Sequence, residues 1–252
     1  MSRKMNRRYE YHDKEKDKEF NISSMKKYLA EKQEMDKKLE EIITPYIKSK
    51  KLQILDPTCG IGHILYFLSE ISPDSSFFGM DQTPYLIEEA KKLYNKSNIK
   101  FDVEDVYDIP EKYHKKFDIS VCWKTLSWLP YYDEIMKSLF SVTKNHIFLN
   151  SLFYDGDIDF QIKAREYKKE KGKNDFTLYY NVYSLPRFKK FVYELGAKSI
   201  DVYDFEINID IPRSNVDYMG TYTEKLSDGK RLQISGAVVM FWKIIKIELD
   251  VK

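Results

Sequence analysis

The chain has 252 residues, 42% of them apolar and 33% charged, with a formal net charge of +2. Its longest unbroken apolar run, Ala237 to Trp242, is far short of the ~20 residues a membrane-spanning helix requires, and the balanced charge disfavours a nucleic-acid binder, which usually carries a clear basic excess. The length suits one α/β core with additions, because single cores stop growing near roughly 250–300 residues.

Residues 1–20 are charged with mixed sign and almost free of aliphatic side chains, which predicts an arm. Four basic residues fall within its first eight (Arg3, Lys4, Arg7, Arg8) and no apolar stretch follows, so no secretory signal is predicted and the protein is expected in the cytoplasm. An amphipathic helix is predicted over about 23–49, where Leu39, Ile42, Ile43, Tyr46 and Ile47 share one face. From residue 52 strands and helices alternate. Strands are predicted at Leu52–Asp56, Phe77–Met80, Ile99–Val103, Phe117–Cys122 and His146–Leu152. The helices between them follow the turn Pro57–Gly62, the Thr83-Pro84 pair (a cap and a first-turn proline) and residue 131. Strands separated by single helices indicate a parallel sheet.

Beyond Phe153 the pattern changes. Residues 154–180 are polar and read as an excursion over the functional edge of the sheet. A helix over about Leu185–Leu195 ends at Gly196, suited to a left-handed C-terminal position. Ala197–Ile211 and Arg231–Ile247 read as two long strands, an antiparallel pair closing the sheet. The predicted fold is therefore Rossmann-like α/β, with a seven-stranded, mostly parallel sheet, helices on both faces and an antiparallel C-terminal strand pair. An arm and lid helix (1–50) precede one domain (51–252), with substrate-side insertions near 154–180 and 205–235.

The chemistry concentrates at Leu55-Asp56-Pro57-Thr58-Cys59-Gly60-Ile61-Gly62-His63, between the first strand and the first helix of the alternating region. Gly60 and Gly62 permit a tight turn and close approach of a ligand to the backbone, and the helix start offers free N–H groups. A dinucleotide loop carries a third glycine three residues on; here that residue is Leu65, so the loop suits a ligand without a pyrophosphate. The carboxylate of Asp56 would repel phosphate and suits a cationic amino-acid moiety. Asp81, 25 residues further on at the end of the second strand, can accept hydrogen bonds from two ribose hydroxyls. After the third strand, the Glu104-Asp105 pair can accept from an exocyclic amine while Val106 packs on its ring. Trp123-Lys124-Thr125-Leu126 follows the fourth strand, beside the ligand's reactive end.

These residues resemble the class I S-adenosylmethionine-dependent methyltransferase family. Asp56-x-x-Cys59-Gly60-x-Gly62 matches its first motif, Met80-Asp81 its second, Glu104-Asp105-Val106 its third, and Phe117-Asp118-Ile119 opens its fourth. The resemblance spans about 39–152. It implies S-adenosylmethionine as cofactor, leaving as S-adenosylhomocysteine. Asp56, Cys59, Gly60, Gly62, Asp81, Gln82, Asp105, Val106 and Trp123 are the cofactor-binding positions it implies.

The acceptor is less marked. Nucleobase-amine methylases of this family carry Asn/Asp-Pro-Pro-aromatic after the fourth strand, where this chain has Trp123-Lys124-Thr125-Leu126. The arm and the C-terminal elaboration are closer to small-molecule members, and the tail from Gly220 to Gly236 resembles a bacterial subgroup associated with sugar and cell-surface polysaccharide chemistry. The expected acceptor is a hydroxyl of a nucleotide-linked sugar; an N-methyltransferase on a small amine and a nucleic-acid-binding protein on the same scaffold are the alternatives. Methyl transfer to oxygen needs alignment and a proton acceptor. The candidates are Asp155 and Asp157 after the fifth strand, and His12 in the arm. His63 reads as packing or surface. Tyr11 and Tyr154 are candidate substrate contacts, and Arg213 and Arg231 could bind a diphosphate. Asp155-x-Asp157-x-Asp159 lacks the glycine of a calcium loop, Phe160 standing in its place. With two cysteines, Cys59 and Cys122, a structural zinc site is not expected either.

Overall fold

The computed structural model of the chain describes residues 18–129, 131–166, 176–213 and 220–250. Its main sheet contains β1 (Gln53–Asp56), β2 (Ser76–Asp81), β3 (Ile99–Val103), β4 (Phe117–Cys122), β5 (Thr143–Tyr154), β8 (Ala197–Asp204) and β12 (Trp242–Leu249) in the order β3-β2-β1-β4-β5-β12-β8. Strands β3 through β5 run parallel, and β12 lies antiparallel between β5 and β8. The chain steps outward from β1 to β3 and returns to β4, so the order reverses between β1 and β4. In such sheets ligands bind at that crevice, beyond the strands' carboxyl ends.

Two faces of the sheet build two cores. On one, Ile54, Ile119, Val121 and Phe148 pack with Leu39, Ile43 and Ile47 of α2 (Glu34–Ile47), Ile64, Leu65 and Leu68 of α3 (His63–Ile71), and Ile87 and Ala90 of α4 (Pro84–Leu93). On the other, Cys122, Ile147, Leu149 and Ile245 meet Ile135, Met136 and Leu139 of α5 (Asp133–Val142) and Phe188 and Val192 of α6 (Leu185–Glu194). Alternate residues of β5, Phe148 against Ile147 and Leu149, serve opposite cores, as the two-residue period of a strand dictates. That is why the central strands read as continuous apolar runs.

Three expectations change. The single helix over 23–49 is two, α1 (Lys18–Ala30) and α2, separated at Glu31–Gln33. Their apolar faces have different destinations. Ile22, Met25 and Leu29 of α1 pack on Ile61, Tyr85 and Leu86 around the glycine loop, whereas α2 packs on α3 and the sheet. Secondly, residues 154–180 include regular structure. β6 (Phe160–Glu166) and β7 (Phe176–Ser184) form an antiparallel pair, and β7 runs parallel to the end of β5 from Leu152 to Tyr154. β7 carries no charged residue, and its last five residues, Tyr180 to Ser184, are all buried. Thirdly, the last two strands are shorter. β8 ends at Asp204, and the second breaks into β10 (Arg231–Ser235), β11 (Val238–Val239) and β12. The break is at Gly236, whose φ of 58° places it in the left-handed region that favours glycine. β9 (Thr221–Lys225), β10 and β11 make a separate antiparallel sheet. Its β9–β10 turn is closed by Asp228, whose carboxylate accepts from the Lys230 N–H (3.0 Å), with Gly229 at φ 87°.

Candidate active site

The glycine loop is tied to the strand ends on both sides. The Cys59 N–H donates to the Met80 carbonyl (2.9 Å), and Gly62 N–H to the Cys59 carbonyl (2.8 Å). Gly60 and Gly62 have φ of 55° and 82°. A Cβ on Gly62 would also lie 2.6 Å from the Phe101 ring, while one on Gly60 would meet Met25 Sδ of α1 at 3.3 Å. Thus Gly62 is required by backbone angle and by β3 packing, and α1 lies directly over Gly60.

Two carboxylates frame the loop. Asp81 Oδ2 accepts from the Gly60 N–H (3.0 Å) and Oδ1 from the Thr83 N–H (2.9 Å). The start of α4 is thus satisfied by Asp81; the Thr83 side chain, expected as the cap, makes no capping bond. Burial raises the Asp81 carboxyl above its ordinary value, opposed by these N–H donors. Each oxygen keeps a second lone-pair site, so the pair can still accept from vicinal hydroxyls. Asp56 is 2% exposed, and its Oδ1 accepts from the Thr58 N–H at 3.0 Å. Burial, with a smaller contribution from the charge on Asp81, pushes its carboxyl up from 3.8 to about 8. A buried carboxyl poised in this way gains by pairing with a cation. The donor set therefore fits the ammonium and ribose of an S-adenosyl amino acid and carries no phosphate cradle.

The remaining cofactor candidates sit on the same edge. Asp105 is exposed and its Oδ1 accepts from the Tyr107 N–H (2.9 Å), while Val106 is buried in the second core. Gln82 is exposed, and Cys59 is buried with its Sγ donating to the Gly60 carbonyl at 3.6 Å. Trp123 is buried, and its Nε1–H donates to Asp36 Oδ1 of α2 (2.9 Å).

The acceptor-side candidates are not gathered into one cluster. Asp155 pairs with Lys243 of β12 (3.2 Å) and Asp157 with Arg187 of α6 (2.5 Å), both carboxylates being largely exposed. Asp157 and Arg187 line an open hollow of about 480 Å³ with Tyr132, Asp159 and Lys190, a set that shares no residue with the glycine loop. Tyr154 is exposed and meets Phe160 edge-on, with ring centroids 5.6 Å apart. Arg213 is held by Glu224 (3.2 Å) and Arg231 by Asp210 (2.6 Å), so each guanidinium already has a carboxylate. Tyr11 and His12 lie outside the described residues. Among the described residues no group of three His, Cys, Asp or Glu side chains could hold a metal ion, and no helix is long and apolar enough to cross a membrane.

Sequence reasoning missed a polar cluster beside the loop. Asp36, only 3% exposed, receives both Trp123 Nε1–H and Lys124 Nζ (2.7 Å) on Oδ1. Lys124 follows β4 with φ of 56°, a conformation costly for a residue with a Cβ. Its backbone N–H donates to Asn150 Oδ1 of β5 at 2.6 Å. A charged residue among the apolar ones of an amphipathic helix, Asp36 near Met35 and Leu39, was the available signal.

Comparison with known proteins fits this geometry. A methyltransferase domain family matches residues 48–187. The malonyl-[acyl-carrier protein] O-methyltransferase of Acetivibrio thermocellus is 31% identical over 78 residues, 31% of this chain and 27% of that protein. The tRNA U34 carboxymethyltransferase of Nautilia profundicola is 28% identical over 152 residues, 59% of this chain and 47% of that protein. The matches thus span 27% to 47% of these two relatives' lengths. Magnesium protoporphyrin IX methyltransferase from Synechocystis PCC 6803, solved with bound S-adenosylhomocysteine, shares the fold with a TM-score of 0.52 at 12% identity, covering 86% of this chain and 82% of that one. So does the N-terminal domain of EvdMO1, solved in the presence of S-adenosylhomocysteine and D-fucose (TM-score 0.53, 12% identity, 87% and 85% covered). With its two-glycine loop, its reversed closing strands and a family match over more than half its length, the chain belongs to the methyltransferase domain family, of the class I, S-adenosylmethionine-dependent kind.

Proposed function

We propose that the protein transfers a methyl group from S-adenosylmethionine to a hydroxyl of a small molecule, a nucleotide-linked sugar being the best-supported class. The observation that carries the cofactor half is Asp81, whose two oxygens are fixed by the Gly60 and Thr83 N–H groups over a loop with no phosphate cradle. In this reading Asp81 accepts from the ribose hydroxyls and Asp56 faces the amino-acid ammonium. Asp105 accepts from the adenine amine, Val106 packs on the ring, and Cys59, Gly60, Gly62, Gln82 and Trp123 complete the wall. When bound, S-adenosylmethionine supplies an electrophilic methyl carbon whose bond to sulfur breaks, with its electron pair staying on sulfur, as the acceptor oxygen bonds to it. The protein aligns the acceptor, excludes water and receives the hydroxyl proton.

Support for a sugar comes from the separate β9–β11 sheet, which elaborates the C-terminal half, and from the D-fucose present with one protein of the same fold. Arg213 and Arg231 would meet a diphosphate only by exchanging their present carboxylate partners. Asp155, Asp157 and His12 remain candidate proton acceptors from the sequence, although Asp155 and Asp157 are each answered by a cation. The test is calorimetric titration with S-adenosylmethionine and S-adenosylhomocysteine, repeated on Asp81→Ala. Micromolar binding that the substitution abolishes is expected; absence of binding in the native protein would overturn the assignment.

A further inference from the structure

The cluster at Asp36, Lys124 and His63 is unused by any role given so far. It draws on four segments: Tyr28 of α1, Asp36 of α2, His63 at the start of α3, and Lys124 after β4. The Tyr28 and His63 rings lie 5.6 Å apart, and Lys124 Nζ stands 5.2 Å from the Tyr28 ring centre. Lys124 Nζ also donates to Gln33 Oε1 (2.6 Å). Eight buried side-chain polar atoms have no hydrogen-bond partner among the described residues, and two of them, Asp36 Oδ2 and His63 Nε2, belong to this cluster. Buried polar atoms are rarely left so, and this pair stands beside the glycine loop. His63 directly follows Gly62. Lys124 is two residues past Cys122, whose Sγ lies 3.8 Å from Thr58 Oγ1 of the loop.

The charges facing His63 are Asp36 and Lys124, opposite in sign and paired with each other, with Asp36 having the larger effect on the ring. Burial pushes the imidazole down from 6.5 to about 4, against a raising effect of Asp36, so the ring is neutral and keeps a lone pair at neutral pH. A cationic guest would have to shed its hydration beside the ammonium of Lys124, at a desolvation cost that a hydroxyl does not incur.

Resting on the methyltransferase reading, we propose that this cluster receives the methyl acceptor, a neutral hydroxyl-bearing small molecule that donates to Asp36 Oδ2 and gives up its reacting proton to His63 Nε2. Asp36, which raises the proton affinity of His63 more than Lys124 lowers it, favours the imidazolium that forms, and Lys124 holds Asp36 in place. The proton passes on to water after the product leaves. This assignment favours oxygen over amine nitrogen as the methylated atom, and it moves the proton acceptor from the exposed aspartates to the start of α3.

The test is an NMR titration of the full chain, loaded with S-adenosylhomocysteine, with ethylene glycol, glycerol and methyl α-D-glucopyranoside as probes. The reporters are the His63 imidazole resonances and the indole N–H of Trp123, which donates to Asp36. Expected is a saturable shift of both reporters by at least one polyol, weakened at least tenfold in Asp36→Asn, with ethanolamine binding at least tenfold more weakly than the polyol. Absence of any polyol shift, or equal affinity in Asp36→Asn, would overturn the site; equal or tighter ethanolamine binding would overturn the neutral-acceptor assignment. Should Asp36→Asn not fold, His63→Gln read at the Trp123 indole takes its place, with the same tenfold loss expected. If S-adenosylhomocysteine fails to bind, the methyltransferase reading falls, while the same titration without it still reads the cluster.

Discussion

Replacing Asp56 by Asn should make the unliganded protein more stable and the cofactor weaker. The carboxyl is 2% exposed and raised from 3.8 to about 8, chiefly by burial. In the unfolded chain it ionises near 3.8; in the folded chain it holds its proton until about pH 8. The sign follows: the unfolded state loses its proton first, so this group's contribution turns against folding above about pH 4 and levels off above about pH 8. The ceiling on the slope is about 1.4 kcal/mol per pH unit in that window, and relaxation of the site would bring it to roughly half. Asn keeps the shape and an oxygen able to accept from the Thr58 N–H, yet cannot ionise. The melting temperature of Asp56→Asn minus that of the native protein should therefore widen from pH 5 to pH 8. For a chain of this size the widening is about 1–4 °C per pH unit. Ligand binding supplies the second readout. At pH 7 a carboxyl of pKa about 8 is roughly nine-tenths protonated, so pairing it with an ammonium should expel about 0.9 proton per ligand. Calorimetry in two buffers of different ionisation enthalpy measures that release, and Asp56→Asn should abolish it while weakening affinity at least tenfold. Parallel melting profiles for the two proteins, or binding without proton release, would refute the argument.

Other substitutions probe the surrounding frame. Gly62→Ala would place a methyl group at φ 82° and 2.6 Å from Phe101, and should cost about 2–4 kcal/mol by denaturant titration, because strain and overpacking add. Asn150→Ala removes the acceptor for the left-handed Lys124 N–H and the donor to Met35 Sδ. A loss of about 1–3 kcal/mol is expected from the buried groups left unpaired, with greater hydrogen exchange at Lys124. Arg187→Ala breaks an exposed pair with Asp157 and should change stability by less than about 1 kcal/mol, leaving S-adenosylhomocysteine affinity unaltered in a thermal-shift assay.

The alternating strands, the glycine loop and the carboxylates at the strand ends were legible in the sequence because each is a local pattern. Apolar runs of strand length, two glycines before a helix, and acids spaced by one β-α-β unit all recur within a few tens of residues. β1 through β5 stand close to where periodicity placed them, and Gly196 does take a left-handed φ of 100°. What the sequence left undetermined depends on partners distant along the chain. One predicted helix became α1 and α2 because Met25 and Leu39 serve different cores. Uncharged β7 formed a strand after a charged segment because its last residues pair with the end of β5. Asp155 and Asp157 looked available until the fold brought Lys243 and Arg187 to them. Asp36 and His63, 27 residues apart and unremarkable in sequence, stand in one polar cluster only because α2 and α3 pack on one face of the sheet. Local pattern fixes where the chain turns and which face is apolar. The charge balance, burial and proton affinity of a side chain are set by neighbours that only the folded chain assembles.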